Sequence, residues 1–255
     1  MPLADRKAIK GILTDIDDTI TNQGKLLPKA YEALAMARDA GLLVIPITGR
    51  PAGWCDHIAR MWPVDGVVGE NGGFYFTMRE GKLSKRYIMD RETRIANRRK
   101  LDRIAEEILA AVPGAGIASD QQYREFDLAI DFCEDVPRLP MSEVQRIVDI
   151  FTAHGAVAKI SSIHVNGWFG RYDKLTMCKL FFQEIHGIDL NSARDRFLFA
   201  GDSPNDEPMF AFFTNSVGVE NIKDFEALLR HRPAYLAQGR GGHGFRRLVE
   251  VLLGT

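Results

Sequence analysis

Four short apolar runs each end in polar or glycine-rich residues: Ile12-Leu13 before Asp15, Leu42 to Ile47 before Thr48, Val64 to Val68 before Glu70-Asn71, and Phe197 to Ala200 before Asp202. Between the first two, Lys29 to Ala40 sets Ala30, Leu34 and Ala37 at helical spacing, and Gly41 ends the run. Strand, helix and strand joined by short turns predict an α/β fold built on a parallel sheet. In open parallel sheets ligands bind beyond the carboxyl ends of the strands, so the polar residues closing these runs are expected to converge at one mouth.

The middle of the chain has a different rhythm. Residues 92–112 read as one long helix, with Ile95, Leu101, Ile104, Ile108 and Leu109 inward and Arg94, Arg98, Arg99, Lys100 and Arg103 outward. Phe126 to Phe132 alternates like a strand. A second helix is expected from Ser142, as N-cap with Glu143 in the first turn, to about His154, followed by strands Val157 to Ser162 and His164 to Phe169. These elements predict a small α/β domain inserted at 83–168, with Gly81 and Gly170 near the hinges, into a core made of residues 1–82 and 169–255. Beyond it, Lys174 to His186 reads as a helix burying Cys178, Phe181, Phe182 and Ile185.

Two features attract attention and carry little. The basic run Asn97-Arg98-Arg99-Lys100 reads as a solvated helix face. Gly239-Arg-Gly241-Gly-His-Gly244 has the GxGxxG spacing, yet only eleven residues follow it, too few for the second strand of a βαβ unit. It reads as a flexible loop with His243 facing solvent.

Composition narrows the function classes. Of 255 residues 45% are apolar and 26% charged, and the net charge of −1 offers no bulk attraction to nucleic acid or an anionic membrane. Cys55, Cys133 and Cys178 are odd in number and far apart, so neither a disulfide framework nor a CxxC pair is available, and a reducing compartment is expected. Asp5, Arg6, Lys7 and Lys10 have no apolar stretch behind them, and no apolar run approaches the ~18 residues that span a bilayer. A cytoplasmic protein without membrane or nucleic-acid partners is the expectation. The absence of HExxH, GxSxG and Walker A sequences removes support for zinc hydrolysis, serine-triad chemistry and P-loop nucleotide binding.

The candidate chemistry lies at the strand ends. On an extended chain Asp15 and Asp17 face the same way, and two adjacent carboxylates are costly unless a cation or a proton intervenes. A calcium loop is excluded, because counting from Asp15 its Gly and Glu positions hold Ile20 and Leu26. A second acidic group, Gly201-Asp202-Ser203-Pro204-Asn205-Asp206, follows the last apolar run; Ser203 and Pro204 suit a helix start, which does not require Asp202. Together the two clusters predict an oxygen-rich site suited to Mg²⁺. Thr48-Gly49-Arg50 could hold a phosphate through hydroxyl, backbone N–H groups and guanidinium. Lys174, at a helix N-terminus, needs an anionic partner, either neighbouring Asp173 or the carboxylate cluster.

These residues resemble the haloacid dehalogenase (HAD) superfamily in its type with a C2 cap. Asp15-Ile-Asp17-Asp-Thr19 is similar to the first motif of that family, Thr48 with Gly49-Arg50 to its second, Lys174 to its third, and Gly201-Asp202-x-x-Asn205-Asp206 to its fourth. The 31 residues from Asp17 to Thr48 are too few for a large insertion, whereas the 126 from Thr48 to Lys174 can hold one, which matches the C2 arrangement. Glu70-Asn71-Gly72-Gly73 resembles the turn that type IIB members, such as sugar-phosphate, sucrose-phosphate and trehalose-phosphate phosphatases, place near substrate. Asp18 and Leu175 depart from the family, standing where many relatives have Gly.

The resemblance implies a Mg²⁺-dependent phosphomonoesterase acting on a small, carbohydrate phosphate through an aspartyl phosphate. Asp15 would be the nucleophile and Asp17 the acid and base, with Thr48 and Lys174 binding the phosphoryl group. Asp15, Asp17, Asp202 and Asp206 would hold the metal, and Gly49, Arg50, Asn71 and Asn205 would contact substrate. The alternatives are a phosphomutase of the phosphomannomutase kind and a non-catalytic sugar-phosphate-binding protein.

Overall fold

The computed structural model describes residues 3–161 and 163–255. Met1, Pro2 and Ser162 lie outside them, and with Ser162 the end of the expected strand Val157 to Ser162. In chain order the strands are β1 (Gly11–Asp15), the hairpin β2 (Thr21–Asn22) and β3 (Lys25–Leu26), β4 (Leu43–Ile47), β5 (Val67–Gly69), β6 (Phe74–Arg79) and β7 (Lys82–Tyr87). Then come β8 (Gly116–Ile117), β9 (Leu128–Asp131), β10 (Val157–Ile160), β11 (His164–Trp168), β12 (Phe197–Gly201), β13 (Asn215–Gly218) and β14 (Tyr235–Leu236). The helices are α1 (Leu3–Ala8), α2 (Pro28–Asp39), α3 (Ala52–Met61), α4 (Arg91–Ala111), α5 (Met141–Ala153), α6 (Lys174–Phe181), α7 (Leu190–Ala193), α8 (Glu207–Phe212) and α9 (Gly242–Leu253).

Eight strands form one sheet in the order β14-β13-β12-β1-β4-β5-β6-β7, parallel from β14 to β5 and antiparallel at β6 and β7. Every residue of β1 is buried, because alternation sends Ile12 to one helix-covered face and Leu13 to the other. Ile12 joins α2, α3 and α9 through Leu34, Ile58 and Phe245, while Leu13 joins α6 and α8 through Phe181 and Phe210. The chain moves outward from β1 in both directions along the sheet, so β1 is the switch point where a crevice opens at the carboxyl ends.

A second, antiparallel sheet in the order β10-β11-β9-β8 carries α4 and α5, and its own core holds Leu101, Ile104, Ile130, Ile147, Phe151 and Val165. The expected boundary at 83 falls inside β7, whose pairing with β6 keeps Lys82–Tyr87 in the large sheet.

Several local expectations are corrected. Ile95 and Leu109 are 45% and 40% exposed, since the narrow stripe Leu101-Ile104-Ile108 suffices to cover the small sheet. Pro140 rather than Ser142 precedes α5, its restricted φ setting the entry one turn position earlier. The run expected from Val64 to Val68 is extended only as Val67–Gly69. The helix expected to end at His186 passes at Phe182 into a π-turn closed by left-handed Gly187. The glycine loop at 239–244 is not free throughout: Gly242 opens α9 and is buried with Gly244, so Phe245 can pack into the core, while His243 is exposed as expected.

Candidate active site

Asp15 closes β1, and its buried carboxylate meets Lys174 from the first turn of α6, whose Nζ lies 2.6 Å from Asp15 Oδ1 and 2.9 Å from Asp206 Oδ1. Asp173 is engaged separately: its carboxylate accepts from the Thr176 N–H and caps α6. The anionic partner that Lys174 requires is therefore the carboxylate cluster. Asp206 Oδ2 accepts from the Asp202 N–H at 3.2 Å, and the Thr19 hydroxyl donates to Asp202 Oδ1 at 3.2 Å. Ser203 does not cap the following turn; its hydroxyl donates to Asn205 Oδ1.

Carboxylate oxygens of Asp15, Asp202 and Asp206 lie within 4.8 Å of one another, all three residues buried. Burial, against the pull of the Lys174 ammonium, pushes the Asp15 carboxyl up to about 8, with Asp206 and Asp17 adding to the rise. Burial and the charges of Asp15 and Asp206 lift Asp202 well above the usual carboxylate range. Burial alone would lower the Lys174 pKa, but Asp15 and Asp206 together raise it. With all three carboxylates ionised against one ammonium, the site would carry an excess of two negative charges that a divalent cation would balance. The donors are all oxygens, so the residues present fit Mg²⁺.

Asp17, two residues beyond Asp15, turns to Arg50, which donates from Nε to Asp17 Oδ1 at 3.1 Å and stands 3.0 Å from it through Nη2. The same Nη2 reaches Glu134 Oε1 at 3.2 Å, and the guanidinium stacks over Trp54, 4.5 Å from the ring centre. Thr48 is buried at the end of β4, and its hydroxyl accepts from the Arg50 N–H, fixing the turn. The Gly49 carbonyl accepts from Arg124 Nη1 at 2.9 Å. Asn71 has a left-handed backbone, φ 55°, and its buried side-chain amide nitrogen has no hydrogen-bond partner among the described residues.

A cavity of about 30 Å³ gathers most of the expected positions, Asp15, Asp17, Gly49, Arg50, Asn71, Asp202 and Asn205. Thr48, Lys174 and Asp206 stand behind this wall. Its opposite wall was not foreseen: Arg124, Ser161, Ile163, His164 and Asn166 come from the inserted segment. Arg124 is buried between Asp120 and Asp127, and Asn166 donates to Asp127 Oδ2. Glu70 is buried at the seam, its carboxylate accepting from the N–H groups of Ala52, Glu125, Phe126 and Asp127. Burial and the Asp127 charge raise it to about 7. A sequence signal for this wall existed in the polar residues interrupting apolar alternation, Asp127 and His164 among them, but their shared direction depends on strand pairing.

Comparison with known proteins agrees with the geometry. Residues 12–101 match the model of the haloacid dehalogenase-like hydrolase family. The chain is 27% identical over 244 residues to a phosphoglycolate phosphatase of Methanobrevibacter smithii, covering 95% of this chain and 97% of that protein. The crystal structure of a Thermoplasma acidophilum protein superposes with a TM-score of 0.75 at 18% identity, over 97% of this chain and 99% of that one. A Bacteroides thetaiotaomicron protein described among the phosphatases of the HAD superfamily gives 0.64 at 17% identity, over 100% and 97%. The acidic cluster at a parallel switch point and its lysine partner accord with the haloacid dehalogenase-like hydrolase model that residues 12–101 match, and with the phosphatase named among the relatives.

Proposed function

We propose that this phosphatase is a Mg²⁺-dependent phosphomonoesterase of small phosphate esters that works through an aspartyl phosphate on Asp15. The observation that carries the reading is the meeting of Asp15 with Lys174, Asp202 and Asp206, drawn from three distant stretches of chain to the end of β1. Asp15, Asp202 and Asp206, with the Asp17 backbone carbonyl, would hold the cation. Held by these residues, Mg²⁺ would supply positive charge to offset that on the phosphoryl oxygens.

Lys174 holds one oxygen of Asp15 and leaves the other to attack phosphorus. The ester P–O bond breaks as Asp17 delivers its proton to the departing alkoxide. Water then attacks the phosphorus of the acyl phosphate, Asp17 takes the water proton, and inorganic phosphate leaves with Asp15 regenerated. Thr48 and Lys174, just behind the cavity wall, would bind the transferring group, and Gly49, Asn71 and Asn205 line the cavity where substrate would lie.

The inserted segment, with its elements from Arg91 to Trp168, acts in this reading as a cap. It supplies one wall of the cavity, and Glu70 ties its loop at 125–127 to the core. Such a narrow polar space suits a short-chain ester in the closed form, and the carbohydrate phosphates expected from sequence would require the cap to move.

The test is phosphate release from an aryl phosphate, 2-phosphoglycolate and hexose phosphates, with Mg²⁺ and with chelator, for wild type and Asp15→Asn. Release that depends on both metal and Asp15 supports the reading. Release that persists in Asp15→Asn overturns it.

A further inference from the structure

Glu134 is held at an unusual place. It lies in the turn after β9, where Asp131 accepts from the N–H groups of Cys133, Glu134 and Asp135 and so fixes the backbone. From there its carboxylate spans two donors: Oε1 lies 3.2 Å from Arg50 Nη2, and Oε2 lies 2.9 Å from His164 Nε2. Arg50 belongs to the core and His164 to the cap, and both line the cavity beside Asp17, whereas Glu134 itself remains 30% exposed. The neighbouring His164 ring and the Arg50 guanidinium hold its carboxyl down at about 2.

The His164 ring is buried, 3% exposed, and its Nε2 contacts Glu134 without the alignment of a hydrogen bond. This buried imidazole nitrogen is thus left without a hydrogen-bond partner among the described residues. Arg124, the other arginine in the cavity, is fully committed to Asp120, Asp127 and the Gly49 carbonyl. Arg50 and His164 are therefore the pair from which an incoming anion can displace a side chain without breaking the buried frame.

Resting on the phosphatase reading, we propose that Arg50 and His164 form the recognition site for a carboxylate carried by the alcohol portion of a short phosphate ester, and that Glu134 occupies it as a placeholder until substrate arrives. The exchange conserves charge: one carboxylate leaves the Arg50–His164 pair as another enters, and Glu134 swings into water from a partly exposed position. The phosphoryl end then points to Asp15 while the carboxylate end rests against the cap.

The experiment compares 2-phosphoglycolate with ethyl phosphate, which keeps the two-carbon chain and lacks the carboxylate, in wild type, His164→Gln and Glu134→Gln. Wild type is expected to show at least tenfold higher kcat/KM for the carboxylate ester. His164→Gln should shrink that preference about tenfold, chiefly through KM, while Glu134→Gln should lower KM for 2-phosphoglycolate severalfold by removing the competing carboxylate. The same preference read as Kd on Asp15→Asn protein separates recognition from turnover: a carboxylate preference in that binding, with no release of phosphate by wild type, upholds the site while sinking the phosphatase reading. Equal handling of the two esters by wild type, or a KM for 2-phosphoglycolate that rises in Glu134→Gln as it does in His164→Gln, would overturn the proposal.

Discussion

Lys174 and Asp15, 159 positions apart in the chain, meet across 2.6 Å with both side chains buried. The contact joins the start of α6 to the end of β1, and Asp206 completes it from the other side of Lys174. Removing the ammonium leaves three buried carboxylates without a fixed cation. Lys174→Met should therefore cost about 3 kcal/mol in the metal-free protein, the low end for a broken buried pair because Asp15 can take up a proton. On the proposed mechanism turnover should fall by about 10²-fold or more, since the oriented charge that would face the phosphoryl group is gone. Urea unfolding and phosphate release check the two effects separately.

If Mg²⁺ binds at this acidic cluster as proposed, it should stabilise the fold in the absence of substrate. A ligand that binds the folded state alone adds about 2.7 kcal/mol at a hundredfold excess over its Kd. Melting with Mg²⁺ and with chelator should differ by several degrees in wild type. Asp202→Asn relieves repulsion from Asp15 and Asp206, so its metal-free form should melt higher than wild type while its response to Mg²⁺ shrinks. A metal response that survives unchanged in Asp202→Asn would move the ion away from this cluster.

The same charges set a pH dependence. Asp15 is raised from an ordinary 3.8 to about 8, and Glu70 from 4.5 to about 7. The folded state thus binds more protons than the unfolded one between about pH 4 and 8, so stability is fullest below the unfolded values and falls as pH rises through the folded ones. In chelator, unfolding free energy should drop by about 1.4 kcal/mol per pH unit for each of the two groups across its own window. Mg²⁺ should flatten the Asp15 share, and Glu70→Gln should remove the other. A stability that rises from pH 5 to 8 in chelator contradicts both assignments.

The core of this site was legible because local rules and function coincide there. Ile12-Leu13, Val44-Ile45 and Phe197 to Ala200 had to be buried strands, and polar residues at their ends had to share one rim. Lys174 was legible as a cation in a position that helix electrostatics disfavours, which demanded an anion, though not which one. His164 left a polar signal in the sequence, but its place in the site, like that of Glu134 and Arg124, was not legible. Their neighbours in the site come from pairing β11 with β9 and from folding the second sheet over the first, and neither register is set by spacing along the chain. Ile95 and Leu109 misled for the converse reason: helical periodicity marks a possible face, and only the area of the partner sheet decides how much is covered.

Gly72 shows how backbone rather than side chain can set catalytic geometry. Its φ is +105°, and a Cβ there would sit 2.1 Å from the Asp173 carbonyl oxygen and 3.0 Å from the Lys174 nitrogen. Those atoms begin α6, so a methyl group at 72 pushes on the peptide that aims Lys174 at Asp15. Gly81, in the turn between β6 and β7, offers a control with φ +74° and open space around the same added atom. Gly81→Ala should cost about 1 kcal/mol from backbone strain alone. Gly72→Ala should cost more, about 2–3 kcal/mol, because collision adds to strain. It should also lower kcat at least tenfold at a temperature where both variants remain folded, through the displaced lysine. If Gly72→Ala keeps the turnover of Gly81→Ala, then α6 tolerates the shift and the position of Lys174 is not held by its fit against this glycine.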